Sequence, residues 1–329
     1  MITRAYGCLI GSAIGDAMGM PASFMSPEKI KRIYNRITGF LPPDKEQIAH
    51  RGLAEGEITD DTEESLIIAE VLADAGKFDV ALFIEKMRNW AVNKKMLEST
   101  VIGPSTRRFL DAIVNRKDLS EVGRLGDTNG GAMRVAPIGI FHHGLVSPAI
   151  DDAIASGKPS HGSKPGLAST AAIAAAIAVA VEGNCTLSDV MAAAICGAVA
   201  GENEGYDIPA PSVAARIRLA IELVDRNRGR SLDEISYILY QYLGAGMKSY
   251  ESIPLSLGIF YAAGGDYQTG LLAAINTGDD ADTNGAIVGA LGGAFCGSEK
   301  INPDWIDKIS QTNSIDFLKI AKQLIDRSK

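Results

Sequence analysis

Two segments of the chain concentrate carboxylate and hydroxyl side chains just before apolar sequence that is typical of a helix. Residues 58–62 read Ile-Thr-Asp-Asp-Thr, and residues 276–283 read Asn-Thr-Gly-Asp-Asp-Ala-Asp-Thr. One Asp, Ser or Thr is enough to cap the free N–H groups at a helix N-terminus, where the helix dipole also favours negative charge. Each segment has several such residues, and carboxylates that are packed together raise one another's pKa unless a cation neutralises them.

The side chains of these two segments are those that hard cations prefer. Mg²⁺ is the first candidate, followed by Mn²⁺ or Ca²⁺, because these ions bind carboxylate and hydroxyl oxygens. Helix capping explains either segment alone equally well. The two segments have the same design although they lie far apart in the chain. This repetition favours one shared metal site.

Helical patterns dominate the rest of the chain. Leu66, Ala69, Leu72 and Ala73 follow the first segment at the i, i+3, i+4 spacing of an amphipathic helix. Alternating β-branched runs are almost absent, and no Pro-, Gly- or Ser-rich linker divides the chain. The sequence therefore predicts an all-α fold in a single compact domain over residues 1–329. Helices are predicted at residues 6–19, 62–75, 80–92, 104–114, 131–141, 166–182, 187–200, 212–226, 231–242, 253–263, 267–276, 283–296 and 314–327.

Two of the predicted helices have a glycine at every fourth position. A glycine inside a helix costs about 1 kcal/mol relative to alanine, so four on one face need a physical reason. Close approach of two helix backbones is such a reason. We expect the two glycine faces to pack against each other or against an alanine-rich neighbour. The stripes are Gly7, Gly11, Gly15 and Gly19, and Gly285, Gly289, Gly293 and Gly297.

Composition and charge limit the function classes. The net charge of −8 argues against nucleic acid or an anionic membrane as the main partner. No signal peptide is evident at the N-terminus, and the apolar stretch at residues 167–181 is shorter than the roughly 20 residues of a membrane-spanning helix, so we expect a buried helix there. The four cysteines have no metal-binding spacing and are typical of small core residues in a reducing compartment, which predicts a cytoplasmic protein.

Less regular stretches are further candidates for parts of a site. Residues 42–57 lead into the first carboxylate segment, and we interpret them as a rim or lid, to which residues 201–211 could contribute. The N–H groups of residues 126–134 could hold a phosphate, with Arg134 as an added cation, although Asn-Gly-Gly is also an ordinary turn before a helix. His161 lies in a predicted loop. The remaining histidines have no evident chemical context: His50, His142 and His143.

Taken together, these motifs resemble the ADP-ribosylglycohydrolase family, in family order and over nearly the whole chain. The spaced combination is specific, although each piece alone is not. The matching segments are residues 11–19 (GSAIGDAMG, like the N-terminal GxxxGDAxG helix), 59–62 (TDDT, like the first metal motif), 129–134 (NGGAMR, like the substrate loop), 160–161 (SH, like the central Ser/Thr-His), 251–254 (ESIP, like Glu-Ser-x-Pro) and 278–283 (GDDADT, like GGDxDT).

This resemblance implies a multi-helix orthogonal bundle with a central di-metal cleft that holds two Mg²⁺, with Mn²⁺ as an alternative. Hydrolysis of a ribosidic bond passes through an oxocarbenium-like state, and the two metals would hold the ribose hydroxyls and orient the attacking water. Asp60 or Asp61 would act as the catalytic base, and we favour Asp61. The implied metal ligands are Thr59, Asp60, Asp61, Asp280, Asp282 and Thr283. The implied substrate-binding residues are Asn129, Gly130, Gly131, Ala132, Met133 and His161.

The chain departs from the family pattern at two positions. Ser23 stands where many members have a glutamate that helps to bind substrate or drive the reaction, and Asp279 stands where the family often has glycine. The serine argues against serine-linked or poly-linked ADP-ribose and leaves arginine-linked ADP-ribose as a substrate. Glu28 or Glu57 could replace the missing glutamate in space.

Three functions follow from these expectations. The first is a Mg²⁺-dependent hydrolase of ADP-ribosylated protein, with arginine-linked ADP-ribose as the expected substrate. The second keeps the metal site, but its substrate is a free nucleoside or another small ribosyl compound. A lack of basic residues that bind the diphosphate would favour this second function. The third is a non-catalytic ADP-ribose-binding protein. Six intact ligand positions argue against the third, because clustered carboxylates are unfavourable without a metal. The sequence does not predict the oligomeric state.

Overall fold

The computed structural model describes residues 1–328, and over this range the chain forms 17 α-helices and no β-sheet. The predicted all-α fold is therefore confirmed. Short 3₁₀ turns join several of the helices. The helices are α1 (Ile2–Gly19), α2 (Pro27–Tyr34), α3 (Asp60–Ala75), α4 (Val80–Asn93), α5 (Pro104–Val114), α6 (Gly130–Met133), α7 (Ala136–Phe141), α8 (Val146–His161), α9 (Lys164–Glu182), α10 (Leu187–Glu204), α11 (Val213–Arg226), α12 (Leu232–Leu243), α13 (Ser249–Ala262), α14 (Tyr267–Thr277), α15 (Ala281–Cys296), α16 (Pro303–Asn313) and α17 (Phe317–Arg327).

Helices α1 and α15 pack so closely that their backbones touch. A Cβ atom added to Gly11 would lie 2.5 Å from the carbonyl oxygen of Gly289, and one added to Gly15 would lie 2.0 Å from that of Gly285. The same contact recurs where Gly7 meets Gly293. The prediction that the two glycine stripes pack against each other is confirmed. At the C-terminal end of α1, a Cβ atom added to Gly19 would lie 2.2 Å from the carbonyl oxygen of Ala281.

Helix α9 lies in the interior. Its length and apolar composition would be enough to cross a membrane, but 89% of its most apolar stretch is buried inside the protein. It packs against α8 and α10 and also contacts α1, α7, α13 and α15. The expected buried helix at residues 167–181 is confirmed.

The structure departs from the predicted helices in two ways. The helix predicted at residues 131–141 is broken into α6 and α7, because Pro137 has no N–H group and its ring clashes with the carbonyl group four residues earlier. Helices α2, α8 and α16 were not predicted, and each has a proline near its N-terminus or inside it. His161, expected in a loop, is the last residue of α8.

Candidate active site

The two carboxylate segments meet at one small cavity of about 30 Å³. Asp60 and Asp61 come from the first turn of α3, while Asp280 and Asp282 lie at the start of α15. Residues from the loop before α6 and from the ends of neighbouring elements close the other walls. The lining consists of Phe24, Asp60, Asp61, Val101, Gly103, Thr106, Thr128, Asn129, Gly130, Met133, Met247, Asp280, Asp282 and Thr283.

Asp16 of α1 fixes the start of α3. Its carboxylate accepts hydrogen bonds from the N–H of Thr59 at 2.9 Å and from the hydroxyl of Thr62 at 2.5 Å. Burial raises the pKa of Asp16 to about 6, with these hydrogen bonds acting against the rise and the charge of Asp282 adding to it. The sequence motif GDAMG contains Asp16, but its position inside a predicted helix gave no reason to assign it a role in the site.

His50 pairs with Asp282. The His50 Nε2 atom lies 2.8 Å from the Asp282 Oδ2 atom, and both side chains are buried. Burial alone would lower the pKa of His50, but the hydrogen bond and charge of Asp282 raise it above its usual value. Burial conversely acts to raise the pKa of Asp282, and the same pairing holds it below its usual value. The expectation that His50 lacks chemical context is therefore wrong.

The segment at residues 42–57 covers this pairing. Gln47 is buried, and its Nε2 atom donates to the carbonyl oxygens of Met20 and Ser23, each at 3.0 Å. These bonds hold the irregular segment against the end of α1, so that His50 reaches Asp282. The segment thus lies beside the site, where the sequence interpretation placed a rim.

The carboxylates of the cavity carry strongly shifted pKa values. Burial, followed by the charges of neighbouring acids, raises the pKa of Asp60 and Asp61 well above the usual range. Burial and Asp282 raise the pKa of Asp280 to about 8, although Asn129 donates to its carboxylate at 2.6 Å. Without a cation, these groups repel one another in a low-dielectric environment.

The donor set fits a hard cation in its chemistry. The Oδ1 atoms of Asp61 and Asp282 are buried and have no hydrogen-bond partner, which is an unfavourable state for a carboxylate without a cation. Thr283 adds a hydroxyl to the lining. Thr59 is buried and is not part of the lining, and its hydroxyl donates to Asp61 Oδ2 at 3.2 Å. Within residues 1–328, however, no three His, Cys, Asp or Glu side chains converge closely enough to form a preassembled metal cluster.

The predicted substrate residues divide into two groups. Asn129, Gly130 and Met133 line the cavity. Gly131 and Ala132 are buried and lie outside the lining, and a Cβ atom on Gly131 would come within 2.2 Å of the Thr170 hydroxyl. His161, the last of the predicted substrate residues, lies at the end of α8. It is fully buried and also lies outside the lining.

Arg134 does not reach the cavity. Its guanidinium is fully buried, donates to Glu64 Oε2 at 2.6 Å and to Ser160 Oγ at 2.8 Å, and lies 5.0 Å from the centre of the Phe83 ring. The hypothesis that Arg134 adds a cation to a phosphate site is therefore wrong. Arg134 lies between α6 and α7, and its side chain is part of the core.

The structure also shows where Ser23 lies, and where the two glutamates lie that could have replaced the missing glutamate. Ser23 is buried, and its hydroxyl accepts from the N–H of Asp282 at 3.3 Å. Glu28 is exposed, and Glu57 accepts from the N–H of Ala54 at 2.6 Å. Neither glutamate lines the cavity, so neither takes the place of the missing one. Phe24 does line the cavity, with its backbone at φ +61°, and sequence reasoning did not identify it.

Comparison with known proteins identifies a family and several relatives of this chain. The family model described as ADP-ribosylglycohydrolase matches residues 1–329. The chain is 32% identical to uncharacterized protein YegU of Escherichia coli (strain K12), over 98% of this chain and 96% of that one. It is 27% identical to ADP-ribosylarginine hydrolase Tri1 of Pseudomonas putida (strain GB-1), over 99% of this chain and 79% of that one. A solved structure described as an ADP-ribosylglycohydrolase-related protein complex has the same fold, with a TM-score of 0.72 at 23% identity, covering 100% of this chain and 99% of the other.

Proposed function

Because the chain belongs to the ADP-ribosylglycohydrolase family, whose members hydrolyse ADP-ribose glycosidic bonds, we propose that it is a Mg²⁺-dependent hydrolase of arginine-linked ADP-ribose. The observation that carries the proposal is the meeting of two carboxylate pairs, Asp60 and Asp61 with Asp280 and Asp282, at one cavity. Two of their oxygens have no partner. We propose a cytoplasmic location, where ADP-ribosylated protein would be the substrate.

The proposed metal ligands are the four carboxylates together with Thr59 and Thr283, and two Mg²⁺ ions, or Mn²⁺ in their place, would occupy the site. When bound, such ions act as Lewis acids and offset the repulsion among carboxylates. His50 holds one carboxylate oxygen of Asp282, and the Ser23 hydroxyl accepts from its backbone N–H group. The other carboxylate oxygen, Oδ1, is buried and has no hydrogen-bond partner.

Asp61 is the proposed general base. Its Oδ1 atom has no hydrogen-bond partner, while Oδ2 accepts from the Thr59 hydroxyl at 3.2 Å. Oδ1 is thus the atom that would take a proton from the attacking water. The neighbouring carboxylates, Asp60 among them, would stabilise the positive charge that develops on the ribose as the bond breaks.

Two observations support the arginine linkage. One relative, Tri1 of Pseudomonas putida, is named as an ADP-ribosylarginine hydrolase. In addition, the cavity is rich in carboxylates and its lining has no Lys or Arg within the described residues. An acidic cavity attracts a cationic guanidinium more strongly than it attracts a neutral serine side chain. Ser23, which stands in place of the glutamate, agrees with this preference.

The same absence of lining cations favours a second candidate function. With Arg134 buried against Glu64, no Lys or Arg among residues 1–328 lines the cavity to bind a diphosphate. A free nucleoside or another small N-riboside would need no such grip and remains the alternative substrate of the same site.

The test compares product release from arginine-ADP-ribosylated protein, serine-ADP-ribosylated peptide and a panel of free N-ribosides, each with Mg²⁺ and with EDTA. The variant is Asp61→Asn, and the matched control is Asp74→Asn, an exposed aspartate on the same helix. We expect metal-dependent release of ADP-ribose from the arginine substrate, lost in Asp61→Asn and kept in Asp74→Asn. Turnover of a free riboside alone would replace the proposed substrate, and equal activity of both variants would remove Asp61 from the mechanism.

A further inference from the structure

A chain of buried hydrogen bonds leads from the core to the wall of the cavity. It begins at Glu64 of α3, which pairs with Arg134 at 2.6 Å. Arg134 donates to the hydroxyl of Ser160 at 2.8 Å, Ser160 lies 2.8 Å from Nδ1 of His161, and Nε2 of His161 lies 3.1 Å from the hydroxyl of Thr128. All five side chains are at least 95% buried, and the last one lines the cavity.

The direction of each hydrogen bond follows from the first. Arg134 has only donors, so Ser160 Oγ is an acceptor in that bond. Within residues 1–328, the hydroxyl hydrogen of Ser160 then has one acceptor, the Nδ1 atom of His161. If Nδ1 instead carried a hydrogen, the buried hydroxyl hydrogen would have no acceptor, which costs about 1–3 kcal/mol. Nδ1 is therefore the bare nitrogen.

His161 must then carry its hydrogen on Nε2. Burial, together with the charges of Arg134 and Arg108, lowers the pKa of His161 well below its usual value, so the ring is neutral and has one N–H group. That N–H group donates to Thr128 Oγ1. Since Thr128 Oγ1 accepts this bond, and no other partner of the hydroxyl occurs in residues 1–328, its own hydrogen is free.

We propose that this chain aims the Thr128 O–H group into the cavity as a fixed hydrogen-bond donor for a diphosphate oxygen of bound ADP-ribose. The identity of the ligand rests on the proposed function. Two contacts hold the Thr128 backbone in place: its carbonyl oxygen accepts from Ser249 Oγ at 2.7 Å, and it forms a bridge with Lys248. Thr128 would touch the substrate, while Ser160 and His161 are positioning residues.

Diphosphate oxygens suit this donor because, at neutral pH, they accept hydrogen bonds and carry no hydrogen to donate. Ribose hydroxyls can do both and need no fixed direction. The cavity lining contains no Lys or Arg in the described part of the chain, so neutral donors must replace the missing cations. A neutral donor of fixed direction loses little orientational freedom on binding, which is the advantage of preorganisation.

The first test measures ADP-ribose affinity by calorimetry in three variants. Thr128→Val removes the hydroxyl at nearly constant shape, and we expect the Kd to rise by about 10- to 100-fold, which corresponds to losing a hydrogen bond to a charged group. Thr128→Ser keeps the hydroxyl and should recover most of that loss. Adenosine has no phosphate, so its Kd should be equal in wild type and Thr128→Val. Unchanged ADP-ribose binding in Thr128→Val, or an equal loss for adenosine, would overturn the proposal.

The second test reads the chain itself by ¹⁵N NMR of the histidine ring. Wild type should show His161 as the Nε2–H tautomer. Ser160→Ala removes the donor to Nδ1 and should give a mixed or inverted tautomer with a raised Kd for ADP-ribose. Ser156→Ala is the control: it is another buried serine of α8, and its hydroxyl donates to the Ala153 carbonyl oxygen at 2.8 Å. An Nδ1–H tautomer in wild type would refute the chain.

These readouts separate this inference from the proposed function. Neither one requires hydrolysis, so a protein that fails to release ADP-ribose from arginine can still show the predicted tautomer and the Thr128 effect. If Ser160→Ala does not fold, the wild-type tautomer and the Thr128→Val and Thr128→Ser pair decide the proposal.

Discussion

Replacing Gly15 by alanine would place a methyl group where the backbones of α1 and α15 touch. The added Cβ would lie 2.0 Å from the Gly285 carbonyl oxygen and 2.4 Å from its carbonyl carbon, whereas ordinary contact begins at 3.4 Å, so the helices must separate by about 1.4 Å. Both atoms belong to backbone that cannot rotate away. Overpacking of this kind costs about 3 kcal/mol or more, and the better helix propensity of alanine returns about 1 kcal/mol. The expected net loss of unfolding free energy is about 2 kcal/mol or more.

The measurement is the midpoint of urea unfolding, followed by circular dichroism. Gly52→Ala is the matched control, because Gly52 has no atom within 4 Å of an added Cβ and no positive φ. It should unfold within about 0.5 kcal/mol of wild type, as most exposed substitutions do. Gly15→Ala should also lower hydrolysis of the substrate, since the shift moves the start of α15. A Gly15→Ala variant as stable as Gly52→Ala would refute the packing argument.

Two further predictions concern buried charge. The pKa of Asp280 is raised to about 8, so the metal-free protein loses stability as the pH rises from the unfolded-state pKa near 4 towards 8. Asp280→Asn has no proton to lose at this position. Its stability relative to wild type should therefore increase between pH 5 and pH 8, by at most about 4 kcal/mol. Urea unfolding in EDTA at the two pH values measures this gain, and a gain that shrinks towards pH 8 would contradict it. Glu64→Gln leaves the buried Arg134 without its carboxylate partner and should cost about 3–5 kcal/mol at pH 8, whereas Glu63→Gln, a partly exposed neighbour, should cost less than about 1 kcal/mol. Equal losses in these two variants would contradict the buried pairing.

Features that depend on local spacing could be predicted from the sequence. A glycine at every fourth position of α1 and α15 has few explanations besides close packing, and Gly11 does lie against Gly289. The carboxylates at residues 60–61 and 280–282 could be grouped because each segment starts a helix and has more acids than a cap needs. In both cases the physical cause lies within a few turns of chain.

Features that depend on distant contacts could not be predicted. Arg134 follows the predicted substrate loop, but its partners are Glu64 of α3 and Ser160 of α8, which are distant in the sequence. His50 lies in an irregular segment without periodicity, and its role appears only when Gln47 anchors that segment to the end of α1. Asp16 was missed because a single acid on a mostly apolar helix gives no local sign of its partner.

Helix α1 connects these two kinds of feature. Gly15 brings its backbone against α15, and the next residue, Asp16, accepts hydrogen bonds from the first turn of α3. One helix therefore sets the position of both carboxylate segments, which explains how residues so far apart in the chain form one cavity. It follows that a change in the glycine stripe displaces the start of α15 relative to Asp61. Activity in Gly15→Ala should thus fall at temperatures where the variant is still folded, because the geometry of the site depends on a contact that contains no catalytic group.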